Sequence, residues 1–212
     1  PAIGRSEGQR NRWIDSDGVH GILLEGARHN PIAEGEGQWC LGVGELPPGV
    51  ELMRCSRWDP HGDGAEIWNR FSADGSIPQS NNDRRSGSND PLSCAMALRF
   101  ELAPGAELEI PLVLSWDLPV TAFASGCQAF RRYTDFHGSD GTNAAAIATE
   151  ALQQWPHWKQ RIEAWQEPVL QRQDLPEPLR MALFNELYDL TSGGTLWTNA
   201  SSDDPEGRFG VL

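Results

Sequence analysis

The chain has 212 residues, a net charge of −13 and nine tryptophans, a length sufficient for one large domain or for one domain and the beginning of a second. Because phosphate binding needs clustered Lys and Arg, this charge argues against a nucleic-acid partner, whereas a neutral substrate such as a sugar is compatible with it. No apolar run approaches the roughly 18 residues of a membrane-spanning helix and no signal-peptide pattern opens the chain, so we expect a soluble, cytoplasmic protein.

The first part of the chain, to about residue 136, is predicted to form short β-strands joined by turns rich in Gly and Pro. Two strand candidates are Gln38–Val43 and Val50–Trp58, and they flank the turn sequence Glu45–Gly49. A polar, loop-like stretch follows at residues 81–90. Many short strands separated by such turns and loops predict a β-sandwich.

The clearest predicted element in this part is a β-hairpin. Leu98, Phe100 and Leu102 alternate with charged residues, which is the period of a half-buried strand. The sequence Ala103–Ala106 follows with Pro and Gly at its centre, a combination that favours a tight turn. A second strand then has its apolar residues on one face, namely Leu108, Ile110, Leu112, Leu114 and Trp116.

The pattern changes from strands to helices after Gly138. Residues 143–154 are rich in Ala and are predicted to form a helix, with Asp140 or Thr142 as its N-cap. Pro156 is expected to kink or restart this helix, because proline lacks a backbone N–H and crowds the preceding turn.

Pro168 and the polar residues after it are predicted to connect the first helix to a second. Asp174 and Glu177 resemble a capping box at the start of that second helix. Its leucines recur at helical spacing, at positions Leu179, Leu183, Leu187 and Leu190, and Gly193–Gly194 is expected to end it.

The sequence predicts neither a metal site nor a cofactor. The four cysteines, Cys40, Cys55, Cys94 and Cys127, lie far apart and form no C-x-x-C pair, so reduced thiols are expected. The five histidines are scattered without a pair at metal spacing. Phosphate-binding and dinucleotide-binding motifs are also absent from the sequence.

Seven groups of residues, spread over nearly the whole chain, carry a resemblance to a known family. They are Gly37–Cys40; Cys55–Pro60; Gly62–Gly64 with Ile67–Trp68; Ile110–Pro111 with Ser115–Pro119; Arg131–Thr134; Ile162–Gln166 with Pro168–Leu170; and Leu183–Tyr188 with Gly193–Trp197. In this order they resemble glycoside hydrolase family 116, the family of non-lysosomal glucosylceramidase and its microbial relatives.

The resemblance implies a mainly β fold with C-terminal helices, in which an N-terminal β-sandwich precedes an (α/α)6 barrel that holds the active site. On this basis residues 1–138 form the sandwich domain, with an incomplete N-terminus. Residues 139–174 form a linker helix region, and residues 175–212 form the truncated start of the barrel. The chain begins with Pro1 rather than Met, and we expect both of its ends to be cut.

The resemblance also implies a retaining mechanism with a Glu nucleophile and an Asp acid/base. Arg208–Leu212 resembles the segment that directly precedes the nucleophile, so the Glu is expected immediately after Leu212 and the Asp further downstream. The chain is therefore expected to be an inactive fragment of an enzyme that hydrolyses β-glucosides such as glucosylceramide. Peripheral membrane contact of the full-length protein stays open.

Five residues of the chain are candidates for substrate binding. Arg57 and Trp58 combine the charged and aromatic groups of a sugar-binding loop, or they form a turn that locks the sandwich against the barrel. Thr195 and Trp197 follow the helix-ending glycines and are expected near the barrel mouth, with packing as the alternative. Glu186 has a carboxylate neighbour three positions on, although a structural role on the helix is the competing interpretation.

A second class of function is a non-catalytic carbohydrate-binding or interaction module. The tryptophan content favours it, since an ordinary chain of this length carries about three. The coding sequence after Leu212 separates the two hypotheses. A Glu codon followed by several hundred residues of helical pattern favours the enzyme, whereas a stop codon favours the module.

Overall fold

The structure is a computed structural model that describes residues 7–16, 18–88, 90, 92–123, 128–185, 195–199 and 209–211. Strands predominate before residue 131 and helices after it, which confirms a mainly β fold with C-terminal helices. In chain order the elements are β1 Arg10–Ser16, β2 Val19–Glu25, β3 Gln38–Val43, β4 Glu51–Trp58, α1 Ala65–Asp74, β5 Ser93–Arg99, β6 Leu112–Asp117, β7 Val120–Ala122, β8 Gln128–Phe130, α2 Thr134–His137, α3 Ala144–Leu170, α4 Glu177–Asn185, β9 Thr195–Trp197 and β10 Phe209–Val211.

The largest sheet has four antiparallel strands in the order β1-β2-β3-β6. Because side chains alternate between the two faces of a strand, Leu23 and Cys40, which lie opposite each other, share one face. Helix α3 packs on this face and buries Ala144 and Ala148 completely. The small side chains of the two alanines allow the helix to approach the sheet closely, and the principal apolar core forms there.

A two-stranded sheet, β4–β5, lies against the opposite face of the large sheet. The Arg54 guanidinium stacks on the Trp13 ring at 4.3 Å and donates to the carbonyl oxygens of Ile14 and Gly21. A second core cluster lies beneath β4 and consists of Met53, Cys55 and Ile77. The β-domain therefore has three layers, namely helix, large sheet and small sheet.

The predicted hairpin is wrong, although its turn is correct. Ala106 N donates to Ala103 O at 3.0 Å, and Gly105 has a φ of 79°, as the turn requires. The flanking strands do not pair with each other, because β5 pairs with β4 and β6 pairs with β3. The apolar face of β6 is also turned outward, while Ser115 and Asp117 point toward the helix and are buried.

Helix α3 is continuous through both Pro156 and Pro168, so the helix does not restart at Pro156 and the connection to the next helix begins after Leu170 rather than at Pro168. The alternative of a kink at Pro156 stays a prediction. Each proline removes one backbone hydrogen bond, and the packing of the first turns of α3 on the sheet offsets this loss. Asp140 accepts hydrogen bonds from Thr142 N and Asn143 Nδ2, but Asn143, rather than Asp140 or Thr142, is the N-cap residue.

The second predicted helix is present as α4. Asp174 is paired with Arg172 and makes no capping bond in the part of the chain that the structure describes. The expected end at Gly193–Gly194 lies outside the described residues. None of the helices in the described ranges has the combination of length and apolar character that a membrane span needs.

Cys40, Cys55 and Cys94 are free thiols. Burial raises the pKa of Cys40 and of Cys94 to about 11. Both therefore stay protonated near neutral pH and behave as small apolar side chains. Cys127 lies outside the described residues.

Candidate functional site

Two short strands hold the C-terminal candidate residues. In the antiparallel pair β9–β10, Thr195 lies opposite Val211 and Trp197 lies opposite Phe209. Backbone hydrogen bonds also join residues 197–199 to the residues at the end of β8 and just after it. Arg132 N donates to Trp197 O at 2.7 Å, and Asn199 N donates to Phe130 O at 2.9 Å. These bonds place Trp197 beside residues 130–135.

Polar side chains lie on the segments next to the Trp197 backbone. Asn199 Nδ2 donates to Thr134 Oγ1 and to Asp135 Oδ1, both at 3.0 Å. Arg132 Nε lies 2.9 Å from Asp135 Oδ2. The Trp197 side chain is half exposed beside them. We call this group the Trp197 surface, and we define it as Arg132, Thr134, Asp135, Trp197 and Asn199.

The Trp197 surface has the chemistry of a site for a neutral, hydroxylated ligand. An exposed indole offers a flat apolar face to a sugar ring. Carboxylate, amide and guanidinium groups supply both donors and acceptors for hydroxyl groups. Such a surface can bind and orient a ligand, but it contains a single carboxylate, and that carboxylate is paired.

The buried carboxylate of Asp117 fixes this region to the large sheet. Asp117 ends β6 and has no exposed surface. Its Oδ1 accepts a hydrogen bond from the Tyr133 hydroxyl at 2.6 Å, and its Oδ2 accepts one from Asn143 N at 2.7 Å. Tyr133 lies between Arg132 and Thr134. The Asp117 side chain therefore links the Trp197 surface, through Tyr133, to the large sheet and to the start of α3.

The pKa of Tyr133 is raised well above its ordinary value. Burial is the largest cause, and the hydrogen bond that Tyr133 donates to Asp117 adds to it. The hydroxyl group therefore remains protonated at every physiological pH. It acts as a permanent donor to Asp117 and is unsuited to exchange protons with a substrate.

Arg57 and Trp58 have structural contacts. Arg57 donates to Arg84 O at 3.2 Å and to Asp90 Oδ2 at 2.5 Å, which ties the polar loop to β4. The hydrogen bond from Arg57 is the main cause of the lowered pKa of Asp90. Trp58 packs against the core cluster beneath β4. These contacts give both residues a structural role within the β-domain.

The candidate residues therefore do not form one site within the described ranges. The structure brings Thr195 and Trp197 together with residues 209–211, whereas Arg57 and Trp58 contact the polar loop and the small sheet. Glu186 lies outside the described residues. For Thr195 only the backbone position is described.

Sequence reasoning missed Asp117, Tyr133 and Asn199 as individual residues of this region. One signal was available, because Asp117 is an isolated charge at the end of an otherwise uncharged strand, Leu112–Asp117. Such a carboxylate in a buried strand needs a partner. The partners lie 16 and 26 residues away, and the sequence contains no pattern that identifies them.

The carboxylate of Glu25 lies in an ion-pair cluster on the helix-bearing face of the large sheet. Its oxygens accept hydrogen bonds from Arg10, Arg12 and Gln38. Burial alone would raise the pKa of Glu25, but the two arginines outweigh it and the pKa is lowered. In the described part of the chain no group of three or more His, Cys, Asp or Glu residues is arranged to hold a metal ion.

We expect Glu25→Gln to destabilise the protein at pH 7 and to reduce its sensitivity to acid. The folded pKa of Glu25 lies below the unfolded value of about 4.5. The contribution of ionised Glu25 to the free energy of unfolding is therefore present above pH 4.5 and is lost as the pH falls through the folded pKa. Urea unfolding at pH 7 and pH 3 measures both effects. Glu51→Gln is the matched control, since Glu51 pairs with Arg99 at an exposed position.

An equal response of the two variants to acid would contradict the assigned role of Glu25.

A protein-family model matches residues 3–158 of the chain. The matched model describes the N-terminal region of glycosyl-hydrolase family 116, under the name beta-glucosidase 2. The match includes the large sheet, the small sheet and the sheet-packed half of α3. The chain therefore belongs to glycosyl-hydrolase family 116 and carries its N-terminal domain.

Proposed function

We propose that the chain is part of a larger parent protein that acts as a retaining β-glucosidase. The chain supplies its β-domain and the first helices of its catalytic (α/α)6 barrel, while both catalytic carboxylates lie outside residues 1–212. Membership of the family supports a glycoside substrate. The observation that carries the rest is the pairing of β9 with β10. It brings Phe209–Val211, which resembles the approach to the nucleophile, beside Thr195 and Trp197.

Five acidic residues with described hydrogen bonds are better suited to structural roles than to catalysis. A retaining glycosidase needs two carboxyl groups about 5–5.5 Å apart, one of them with a raised pKa that allows it to act as an acid. Both oxygens of Asp117 already accept hydrogen bonds. Hydrogen bonds from arginines lower the pKa of Asp15, Glu25 and Asp90, and hydrogen bonds from the backbone N–H groups of His29 and Ala33 lower the pKa of Glu36. None of these groups therefore has the properties of the general acid.

We assign substrate contact to the Trp197 surface. Trp197 stacks on the glucose ring, and the polar groups of Asp135 and Asn199 orient its hydroxyls. Asp117 and Tyr133 act as positioning residues, because they hold residues 131–134 in place without touching substrate. The substrates are β-glucosides such as glucosylceramide, and the free thiols favour a cytoplasmic location. A lipid aglycone would bring the parent protein to the periphery of a membrane.

Activity assays on an aryl β-glucoside test this proposal. We expect the parent protein to release β-glucose as its first product, which proton NMR detects, and the 212-residue chain to release none. Trp197→Ala in the parent protein is expected to lower kcat/KM by about tenfold, the value of one ring-stacking contact of about 1.4 kcal/mol. Trp68→Ala is the control, because Trp68 is similarly exposed but lies on α1.

Hydrolysis by the pure chain, or α-glucose as the first product, would disprove the proposed mechanism. Equal losses in the Trp197 and Trp68 variants would remove Trp197 from the site while leaving the mechanism intact. The half-exposed Trp197 also fits glycan binding without hydrolysis. A parent protein that binds a β-glucoside in calorimetry and never cleaves it would establish that second function.

A further inference from the structure

A cavity of about 240 Å³ lies between the large sheet and the small sheet. All four strands of the large sheet contribute to its lining, and the small sheet contributes Ser93 and Cys94 of β5. Leu114 of β6 belongs to the lining and is 55% exposed, so a small molecule can enter from that side. The cavity shares no residue with the Trp197 surface.

One polar side chain of this lining has an unused hydrogen-bond donor. Asn11 of β1 is only 3% exposed, and its Nδ2 has no hydrogen-bond partner among the described residues. Asn11 lies opposite Leu24 in the β1–β2 pair and both line the cavity, so the Asn11 side chain is on the face that the cavity occupies. Buried amide groups nearly always have a partner, because an unpaired one is costly. The Asn11 Nδ2 group would therefore be stabilised by an acceptor atom of a bound molecule.

The rest of the lining favours an uncharged, mainly apolar ligand. Five leucines and Trp39 supply most of the surface. The Cys94 thiol is protonated near neutral pH and adds a small apolar group. Glu25 is the one charged residue among the described lining residues, and its carboxylate already accepts hydrogen bonds from two arginines. A charged ligand would lack a free counter-charge here, and burying an unpaired charge is far more costly than burying a neutral group.

The volume of the cavity suits a molecule with a single ring. An apolar protein cavity of about 150 Å³ is large enough to bind benzene, so this cavity has room for such a ring and a short substituent. Trp39 offers the flat face of an indole to the ligand. Its ring already packs on Trp116, with centroids 5.6 Å apart, and aromatic rings pack favourably on one another.

We propose that this cavity is a binding site for a small neutral alcohol. The apolar body of the alcohol packs on Trp39 and the leucines, and its hydroxyl oxygen accepts a hydrogen bond from Asn11 Nδ2. An alcohol fits this environment because a hydroxyl group is uncharged and has lone pairs that accept a hydrogen bond. Binding here involves no catalytic carboxylate, so the proposed glucosidase activity and the proposed alcohol site can fail independently.

Calorimetric titration of the intact parent protein with benzyl alcohol and with ethylbenzene tests the role of Asn11. The two probes have nearly the same shape, but only benzyl alcohol has an oxygen that can accept the hydrogen bond. Asn11→Leu removes the donor and keeps a side chain of similar size. We expect the ratio of the two dissociation constants, ethylbenzene over benzyl alcohol, to be about tenfold higher in the unchanged protein than in the Asn11→Leu variant. An equal ratio in the two proteins overturns the proposal.

The rate at which methyl methanethiosulfonate modifies Cys94 locates the bound probe and needs no variant. We expect saturating benzyl alcohol to slow the modification of Cys94 at least fivefold. Cys55 is the control, because it belongs to the core cluster beneath β4 and does not line the cavity, so its rate is expected to be unchanged. Mass spectrometry of the peptides measures both rates in the intact parent protein.

Three results of these measurements would overturn the alcohol site. Benzyl alcohol that binds without protecting Cys94 has its site elsewhere in the parent protein. Equal slowing of Cys94 and Cys55 would also show that the probe does not occupy this cavity. A parent protein that binds neither probe, although the 212-residue chain binds benzyl alcohol, would show that the cavity is filled in the intact protein.

Discussion

Replacing Gly37 with alanine is expected to prevent stable folding. Gly37 has a φ of 148°, which favours glycine, and an added Cβ would lie only 1.9 Å from the backbone oxygen of Asp117. The Asp117 carbonyl belongs to β6, and Gln38, the residue after Gly37, pairs with Asp117, so the two backbones cannot separate without disturbing the β3–β6 ladder. We expect a loss of more than about 4 kcal/mol in the free energy of unfolding, the range of exceptional substitutions.

Gly87→Ala is the matched control for this experiment. No atom lies within 4 Å of the Cβ position at Gly87, so we expect a change of no more than about 0.5 kcal/mol. Urea unfolding followed by tryptophan fluorescence measures both variants. If the Gly37→Ala protein is as stable as the Gly87→Ala protein, the backbone of residue 37 does not lie as close to the Asp117 carbonyl as described here.

Asp117→Ala is expected to cost about 3–5 kcal/mol, because it leaves two buried donors without an acceptor, at about 1–3 kcal/mol each, and creates a small cavity. The donors are the Tyr133 hydroxyl and the Asn143 backbone N–H. The loss should be concentrated where the sheet joins the helix, since both donors lie there. Hydrogen exchange is therefore expected to accelerate in the first turns of α3 more than in β4 and β5.

Two further variants separate the contributions at this junction. Tyr133→Phe removes one hydrogen-bond donor and keeps the aromatic ring, so we expect a loss of about 1–2 kcal/mol in the free energy of unfolding. Asp140→Ala removes an exposed carboxylate that also accepts two hydrogen bonds in the loop before α3, and we expect a loss of about 1 kcal/mol in the free energy of unfolding for such exposed hydrogen bonds. Equal losses for Asp117→Ala and Asp140→Ala would show that burial of Asp117 has no special importance.

Local pattern predicted individual strands well and their partners poorly. Gln38–Val43 matches β3 residue for residue, and Val50–Trp58 matches β4 to within one residue. The hairpin prediction was wrong because alternation gives the face of a strand but not its neighbour. β6 pairs with a strand some 70 residues earlier in the chain, a choice made by long-range packing. Alternation placed the apolar residues of β6 on one face without showing that this face is exposed, while Ser115 and Asp117 on the other face are buried against the start of α3.

The candidate site was predictable only in outline. The family resemblance directed attention to Thr195 and Trp197, and the structure places residues 209–211 beside them. Arg57 and Trp58 were candidates because they combine the charged and aromatic groups of a sugar-binding loop, with a structural turn as the alternative, and their contacts with the polar loop and the core favour a structural role. Asn199 donates hydrogen bonds to Asp135 and Thr134, which lie 64 and 65 residues earlier in the chain. The local spacing of residue types in the sequence does not predict contacts of this range.

The proposed chemistry requires a covalent glucosyl intermediate on a carboxylate just beyond Leu212. A 2-deoxy-2-fluoro-β-glucoside slows hydrolysis of such an intermediate, so mass spectrometry of the treated parent protein can locate it. Trypsin cleaves after Arg208, and we expect the label on a peptide that begins Phe209-Gly210-Val211-Leu212 and continues with the modified Glu. A label on any carboxylate within residues 1–212 would contradict the proposed mechanism.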